Sequence, residues 1–229
     1  MSFEKNLGQA GPETYFTARG RGYTLDLHRD GVSLALQSPS GGRAKLGIRP
    51  IAAKPLPPGA VSGEEKLPGV SNYLLGLDRS RWIENAPNYS RVRYREVYPG
   101  IDLVYYGNAQ RLEYDFDIAP GRDPARIALE FTGVERVEID SHGELILHAG
   151  RGAVRQPKPV AYQIIAGRRR DVNVAYRLTG RRQIAFQVGE YDQSANLVID
   201  LYSSYFGSTA ADQGTGVAVT QMGISMSRA

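Results

Sequence analysis

The 229 residues contain no cysteine, a single tryptophan, three histidines and three methionines. Without cysteine there is no disulfide framework, no zinc–thiolate site and no cysteine nucleophile; the compartment stays open, because a chain with a large core can be exported without disulfides. His28, His142 and His148 form no HxH or HxxxH pair, so a zinc site is not expected. No run approaches the roughly 18–20 apolar residues that a bilayer-spanning helix requires. The opening MSFEKNLGQAGPETYF lacks a charged leader followed by an apolar stretch, so the chain as it stands carries no export signal. Phosphate-loop, nucleophile-elbow and zincin patterns (GxxxxGK[ST], GxSxG, HExxH) are missing too, and nothing nominates a cofactor. The excess of Lys and Arg over Asp and Glu, 28 against 24, is modest and consistent with plain solubility.

What the chain has in quantity is turn residues between short apolar runs, with 26 glycines and 13 prolines. That distribution predicts an all-β protein of antiparallel sheets, sandwich-like, with little helix. Residues 22–37 read as a hairpin: Tyr23, Leu25 and Leu27 alternate with polar residues, Asp30-Gly31 turns the chain, and Val32, Leu34 and Leu36 resume the alternation. Arg19 and Arg21 flank an earlier turn whose favoured role is exposure rather than anion binding. Between 38 and 69, prolines and glycines predict an extended connection with one strand near 44–51. Asp78 and Asp123 are each placed to cap a single turn, the second with Pro124 at its first position. Trp82, by its size, is expected to anchor the core; a sugar-stacking platform is the competing role.

The stretch 87–124 is the most regular. Arg91, Arg93 and Arg95 occupy one face of a strand; Pro99-Gly100 turns; Ile101–Tyr106 follows; Glu113, Asp115 and Asp117 then share one face of a strand whose other face is Leu112, Tyr114, Phe116 and Ile118. Same-face neighbours lie about 6.5–7 Å apart, so Glu113 with Asp115 has the spacing of an inverting glycosidase pair, and Glu113 with Asp117 is a second choice. The same three carboxylates suit a hard cation such as calcium. Against both stands a cross-strand charge ladder: with a loop at 107–110, Tyr106 faces Arg111, Val104 faces Glu113 and Asp102 faces Asp115, and the arginine strand lies beside them. The ladder is preferred, so no catalytic residue and no metal ligand is assigned. Arg168, Arg169, Arg170, Arg181 and Arg182 lie at two hairpin turns and could attract a polyanion, but no aromatic residues interleave them and no nucleic-acid motif follows.

A wider set of residues carries a resemblance. Phe3, Asn6, Gly8 and Gln9, Gly22-Tyr23, Asn72-Tyr73, Trp82, Val97-Tyr98-Pro99-Gly100-Ile101-Asp102, Tyr105-Tyr106-Gly107, Leu112-Glu113-Tyr114-Asp115-Phe116, Ala119-Pro120-Gly121, Tyr162-Gln163 and Val198-Ile199-Asp200 stand together. In this combination the chain resembles the amino-terminal domain of bacterial SBBP-repeat β-propeller proteins. Residues 202–229, with Tyr202-Ser203-Ser204-Tyr205-Phe206-Gly207, resemble the opening of a first propeller repeat. The resemblance implies a domain over 1–201, an incomplete repeat over 202–229, an extracellular or cell-envelope location, and a non-catalytic module that binds protein or glycan in a surface or adhesion-type protein. It brings no catalytic residues. An incomplete blade cannot bury its own face, so 202–229 is expected to pack poorly or to borrow another surface. A shortened chain, a gene fragment and a repurposed last segment all remain open.

Overall fold

The computed structural model describes every residue except 21, 22, 38–42, 54, 55, 58, 75, 109, 110, 151, 203 and 209–229. The described residues are overwhelmingly strand. In chain order these are β1 (Phe3–Lys5), β2 (Thr14–Gly20), β3 (Tyr23–His28), β4 (Gly31–Gln37), β5 (Arg43–Pro50), β6 (Val61–Tyr73), β7 (Ile83–Tyr98), β8 (Ile101–Asn108), β9 (Arg111–Ile118) and β10 (Ala128–Thr132). They continue as β11 (Arg136–Ile139), β12 (Leu145–Ala149), β13 (Gly152–Gln156), β14 (Val160–Ile165), β15 (Arg168–Val172), β16 (Val174–Gly180), β17 (Gln183–Val188), β18 (Leu197–Tyr202) and β19 (Ser204–Ser208). Single 3₁₀ turns at Arg79–Arg81 and Pro124–Arg126 are capped by the Asp78 and Asp123 carboxylates, as the sequence predicts.

Strand β7 is the spine. Along one edge it carries β6, from Val61 opposite Tyr94 to Tyr73 opposite Ile83. Its other edge is shared: Arg91–Tyr94 pair with β8, while Asn88 and Tyr89 pair with β1. Two wings leave that shared edge, β8-β9-β18-β14-β15 and β1-β2-β3-β4-β5-β10-β17-β16. They fold face to face into the all-β, sandwich-like arrangement expected. Phe116 of β9 meets Phe186 of β17 at 6.0 Å between ring centres, and the Tyr94 hydroxyl of the spine donates to the His28 carbonyl at 2.8 Å. The end strands of the two wings, β15 and β16, are separated in the chain by Asn173 alone. A second sheet, β11-β12-β13-β19, packs beneath β4 and β5, where Leu147 and Val154 meet Val32, Leu34, Leu46, Ile48 and Leu112.

The period-two patterns explain which faces are buried. Leu112, Tyr114, Phe116 and Ile118 of β9 point inward, as do Ile101, Leu103 and Tyr105 of β8 and Leu197, Ile199 and Leu201 of β18. Pro99-Gly100 makes the two-residue β7–β8 turn, with Gly100 at φ +71° where a side chain would be strained. Tyr98 ties three elements: its hydroxyl lies 2.9 Å from the Ile51 and Ala128 carbonyls and accepts from the Ala128 amide at 3.2 Å. Tyr98→Phe leaves these buried groups short of a partner, so a loss of about 1–2 kcal/mol is expected in urea unfolding. An unchanged midpoint and slope would contradict this account.

The structure corrects three expectations. Residues 61–69 are not connection but part of strand β6 (Val61–Tyr73), long and, among the described residues, paired on one side only; Pro68 is tolerated there because the pairing is interrupted between Lys66 and Val70. Trp82 is not a core anchor: it sits partly exposed just before β7, at the outer end of the β6–β7 hairpin. The β8–β9 register pairs Asn108 with Arg111, Tyr106 with Glu113, Val104 with Asp115 and Asp102 with Asp117, two residues tighter than the loop 107–110 implied. A shift of two preserves the faces, so both charge rows stay on the outside.

Candidate functional site

The outer surface of the first wing gathers the polar side chains that the inward pattern leaves over. Arg93 on β7 stands opposite Val104 of β8. Its guanidinium reaches across Val104, which is only 1% exposed despite facing outward. Nη1 lies 2.7 Å from Asp117 and 3.2 Å from Asp102, and Nε lies 2.8 Å from Glu64. The charge ladder thus converges on one arginine that serves three strands. Arg91 takes a different role, stacking on the Tyr106 ring at 4.9 Å with Glu65 at 3.7 Å. Arg95 makes no ion pair among the described residues.

Asp115 is not neutralised in this way. It is 8% exposed, and directly across from it on β18 stands Asp200. The Tyr106 hydroxyl donates to Asp115 Oδ1 at 2.8 Å and reaches Asp200 Oδ1 at 3.5 Å, so it bridges the two carboxyls. Burial, then the negative charges of Asp200 and Asp117, push the Asp115 carboxyl up to about 7, against the opposing hydrogen bond from Tyr106. Burial likewise raises Asp200. Burial and Asp115 together hold the Tyr106 hydroxyl protonated far above its ordinary range. On the next strand Tyr162 faces Val198, and Arg169 lies 4.0 Å over its ring. Read across the strands, the surface runs Arg91 on Tyr106, Asp115 against Asp200, then Arg169 on Tyr162. Glu113 faces Tyr106 and Tyr202 at one side of this row.

This arrangement can accept hydrogen bonds and offer aromatic edges on the outer face of the sheet. The structure has a separate cleft of about 390 Å³ at the end of the sandwich, lined by Arg29, Asp30, Leu56, Tyr94, Val97 and Leu103, and none of Glu113, Asp115 and Asp117 lines it. Among the described residues, no three His, Asp or Glu side chains are placed to hold a metal ion.

A family model described as a domain of unknown function (DUF7948) matches residues 3–200. The chain belongs to that family. No curated protein and no solved structure matches it. The DUF7948 match runs from β1 to Asp200, so both members of the carboxyl pair fall inside the domain.

The remaining residues singled out from the sequence are scattered over this DUF7948 domain. Arg168, Arg169 and Arg170 belong to edge strand β15 rather than to a turn, which is Ala166-Gly167. Arg169 is held by Asp171 at 2.8 Å. Arg181 and Arg182 form the β16–β17 turn, at the far end of the extended run 168–180, so the five arginines do not make one patch. Arg19 is bound to the Tyr73 hydroxyl and pairs with Glu4 at 3.6 Å; Arg21 lies outside the described residues. Of the segment compared with a propeller repeat, Ser204–Ser208 pair with β13 of the second sheet and 209–229 lie outside the described residues. Sequence reasoning missed Asp200, Tyr106 and Tyr162 as site residues. The alternation in LVIDLY already turns Asp200 outward, but only the pairing of β18 with β9 puts it beside Asp115.

Proposed function

We propose that the chain is a non-catalytic binding module of an exported or envelope-associated protein, and that its ligand face is the outer surface built on Tyr106, Asp115, Asp200 and Tyr162. The observation that carries this is the row of two arginine-backed tyrosines flanking a carboxyl pair on an open sheet face. Such a row suits a hydroxyl-rich glycan: carboxyls accept from sugar hydroxyls, and ring faces and edges pack on sugar C–H groups. The resemblance to the amino-terminal domain of SBBP-repeat proteins supports the location. A glycosidase using Glu113 with Asp115 or Asp117 has less support, because Asp117 is committed to Arg93 and none of the acids lines the cleft at the end of the sandwich.

The reading is tested on a glycan array with the full chain, followed by calorimetry on any hit. Tyr162→Ala should weaken a hit by ~3–10-fold, the worth of one aromatic contact, and Asp200→Asn should weaken it as well. A hit indifferent to both changes would place the ligand elsewhere. An array without hits, together with saturable binding to an intact protein surface, would assign the face to a protein ligand instead.

A further inference from the structure

The outer end of the β6–β7 hairpin is built unlike the rest of the surface. From Val70 opposite Pro87 to Tyr73 opposite Ile83 the two strands pair only with each other among the described residues. The root is pinned, since the Tyr73 hydroxyl donates to Glu4 at 2.6 Å and Arg19 stacks on the Tyr73 ring at 5.6 Å. Residues 76–82 are tied to one another as well. Asp78 accepts from the Ser80 amide and hydroxyl at 3.0 and 2.7 Å, and the Trp82 indole N–H donates to the Gly76 carbonyl at 3.2 Å. Yet this end of the hairpin presents apolar side chains to solvent: Leu77 is 100% exposed and Leu74 52%. The same tip carries Trp82, partly exposed, with Arg79 5.1 Å over its ring, and Arg81. Neither arginine makes an ion pair among the described residues, and the one acid between 74 and 82, Asp78, is engaged by Ser80.

A tip that combines two exposed leucines, a partly exposed amphipathic indole and two guanidiniums without an ion pair among the described residues carries the chemistry that the layers of a phospholipid surface take up: acyl chains, the interfacial zone, and phosphates. We infer that this tip docks on a phospholipid bilayer surface, with Leu74 and Leu77 entering the acyl boundary, Trp82 at the interface and Arg79 and Arg81 on lipid phosphates. The charge complementarity is guanidinium to phosphate, and the tip lies on the spine hairpin rather than on the tyrosine–carboxyl face, so the inference does not depend on the glycan reading.

Trp82 is the only tryptophan, so its fluorescence reports the contact without a label. The full chain is titrated with vesicles of phosphatidylcholine alone and of phosphatidylcholine with phosphatidylglycerol added. The expected result is a blue shift of emission at both compositions and tighter binding with phosphatidylglycerol, the added part fading with salt. Leu77→Glu should lower vesicle affinity at least about tenfold, the value of one buried leucine, and should leave thermal unfolding unchanged because Leu77 makes no buried contact. Arg79→Ser with Arg81→Ser should remove the preference for phosphatidylglycerol. No shift with either vesicle, or a shift that survives Leu77→Glu, overturns the inference. So does a blue shift that grows with protein concentration in the absence of vesicles, since the tip would then be covered by a second copy.

Discussion

Replacing Asp115 by asparagine is expected to stabilise the protein most at pH 8 and by a smaller amount at pH 5. Asp115 titrates near 7 in the folded chain because burial and its acidic neighbours disfavour the charge, whereas an unfolded aspartate titrates near 4 (about 3.9). The folded form therefore binds the extra proton over that interval. The stability it confers is fully present below about pH 4 and is lost as pH rises through about 7. The loss is on the order of 2–4 kcal/mol for a shift of this size.

The groups facing the pair set this balance. Glu113 and Asp117 flank Asp115 on its own strand; Asp102 and Tyr106 stand on β8; Asp200 and Tyr202 stand on β18; Tyr162, Arg169 and Asp171 lie on β14 and β15; Arg91 and Arg93 lie on β7. The arginines are diverted, Arg91 to the Tyr106 ring and Arg93 to Asp117, so neither makes an ion pair with Asp115. Asparagine keeps the shape and accepts from Tyr106 without carrying charge. Urea unfolding of parent and variant at pH 5 and pH 8 reads the difference. A variant that is less stable than the parent at pH 8, or one whose stability falls between the two pH values as much as the parent's does, would defeat the assignment.

Removing Arg93 should be among the most costly changes on this face. Arg93→Ala leaves Glu64, Asp102 and Asp117 clustered without their shared cation and uncovers Val104. Stranding a partner of a well-buried pair costs 3–5 kcal/mol. The side chains here retain 21–36% exposure, so about 2–3 kcal/mol is the expected loss after solvent screening. Arg93→Lys should recover only part of it, because a single ammonium cannot fork to carboxylates on three strands. The loss should shrink at pH 3, where the carboxylates are protonated. A variant as stable as the parent at pH 7, or a loss independent of pH, would show that Arg93 acts through packing alone.

The sequence discloses the fold class and the faces far better than the neighbours. Alternation at 112–118 and 197–202 assigns every inward and outward residue correctly, because burial of one sheet face is a local, period-two constraint. Asp78 and Asp123 are legible as caps for the same reason: the capped amide lies two residues away. Trp82 misleads, since size alone says nothing of whether the turn that holds it points in or out. The candidate site is half legible. Asp115 and Tyr106 lie in one hairpin, whereas Asp200 reaches them by a pairing across more than eighty residues that no local signal encodes. The arginine sets illustrate the converse: closeness in sequence suggested one patch, and two antiparallel hairpins carried the charges apart.

Strand β1 has a consequence for the order in which the sheet is completed. Its three residues, Phe3–Lys5, are the only strand pairing that joins β7 to β2, and hence the continuous ladder between the two wings, among the described residues. During synthesis β1 and β2 are made long before Asn88 and Tyr89, the positions on β7 that complete the joint. Pairing of such separated segments carries the loop-closure cost that slows β-rich folding. Until β7 arrives, β1 has a partner on one edge only, and Phe3, which is 0% exposed in the finished protein, lacks its cover from the spine. The nascent amino-terminal wing is for that interval a sheet with an open edge at β1, available to any strand that reaches it first.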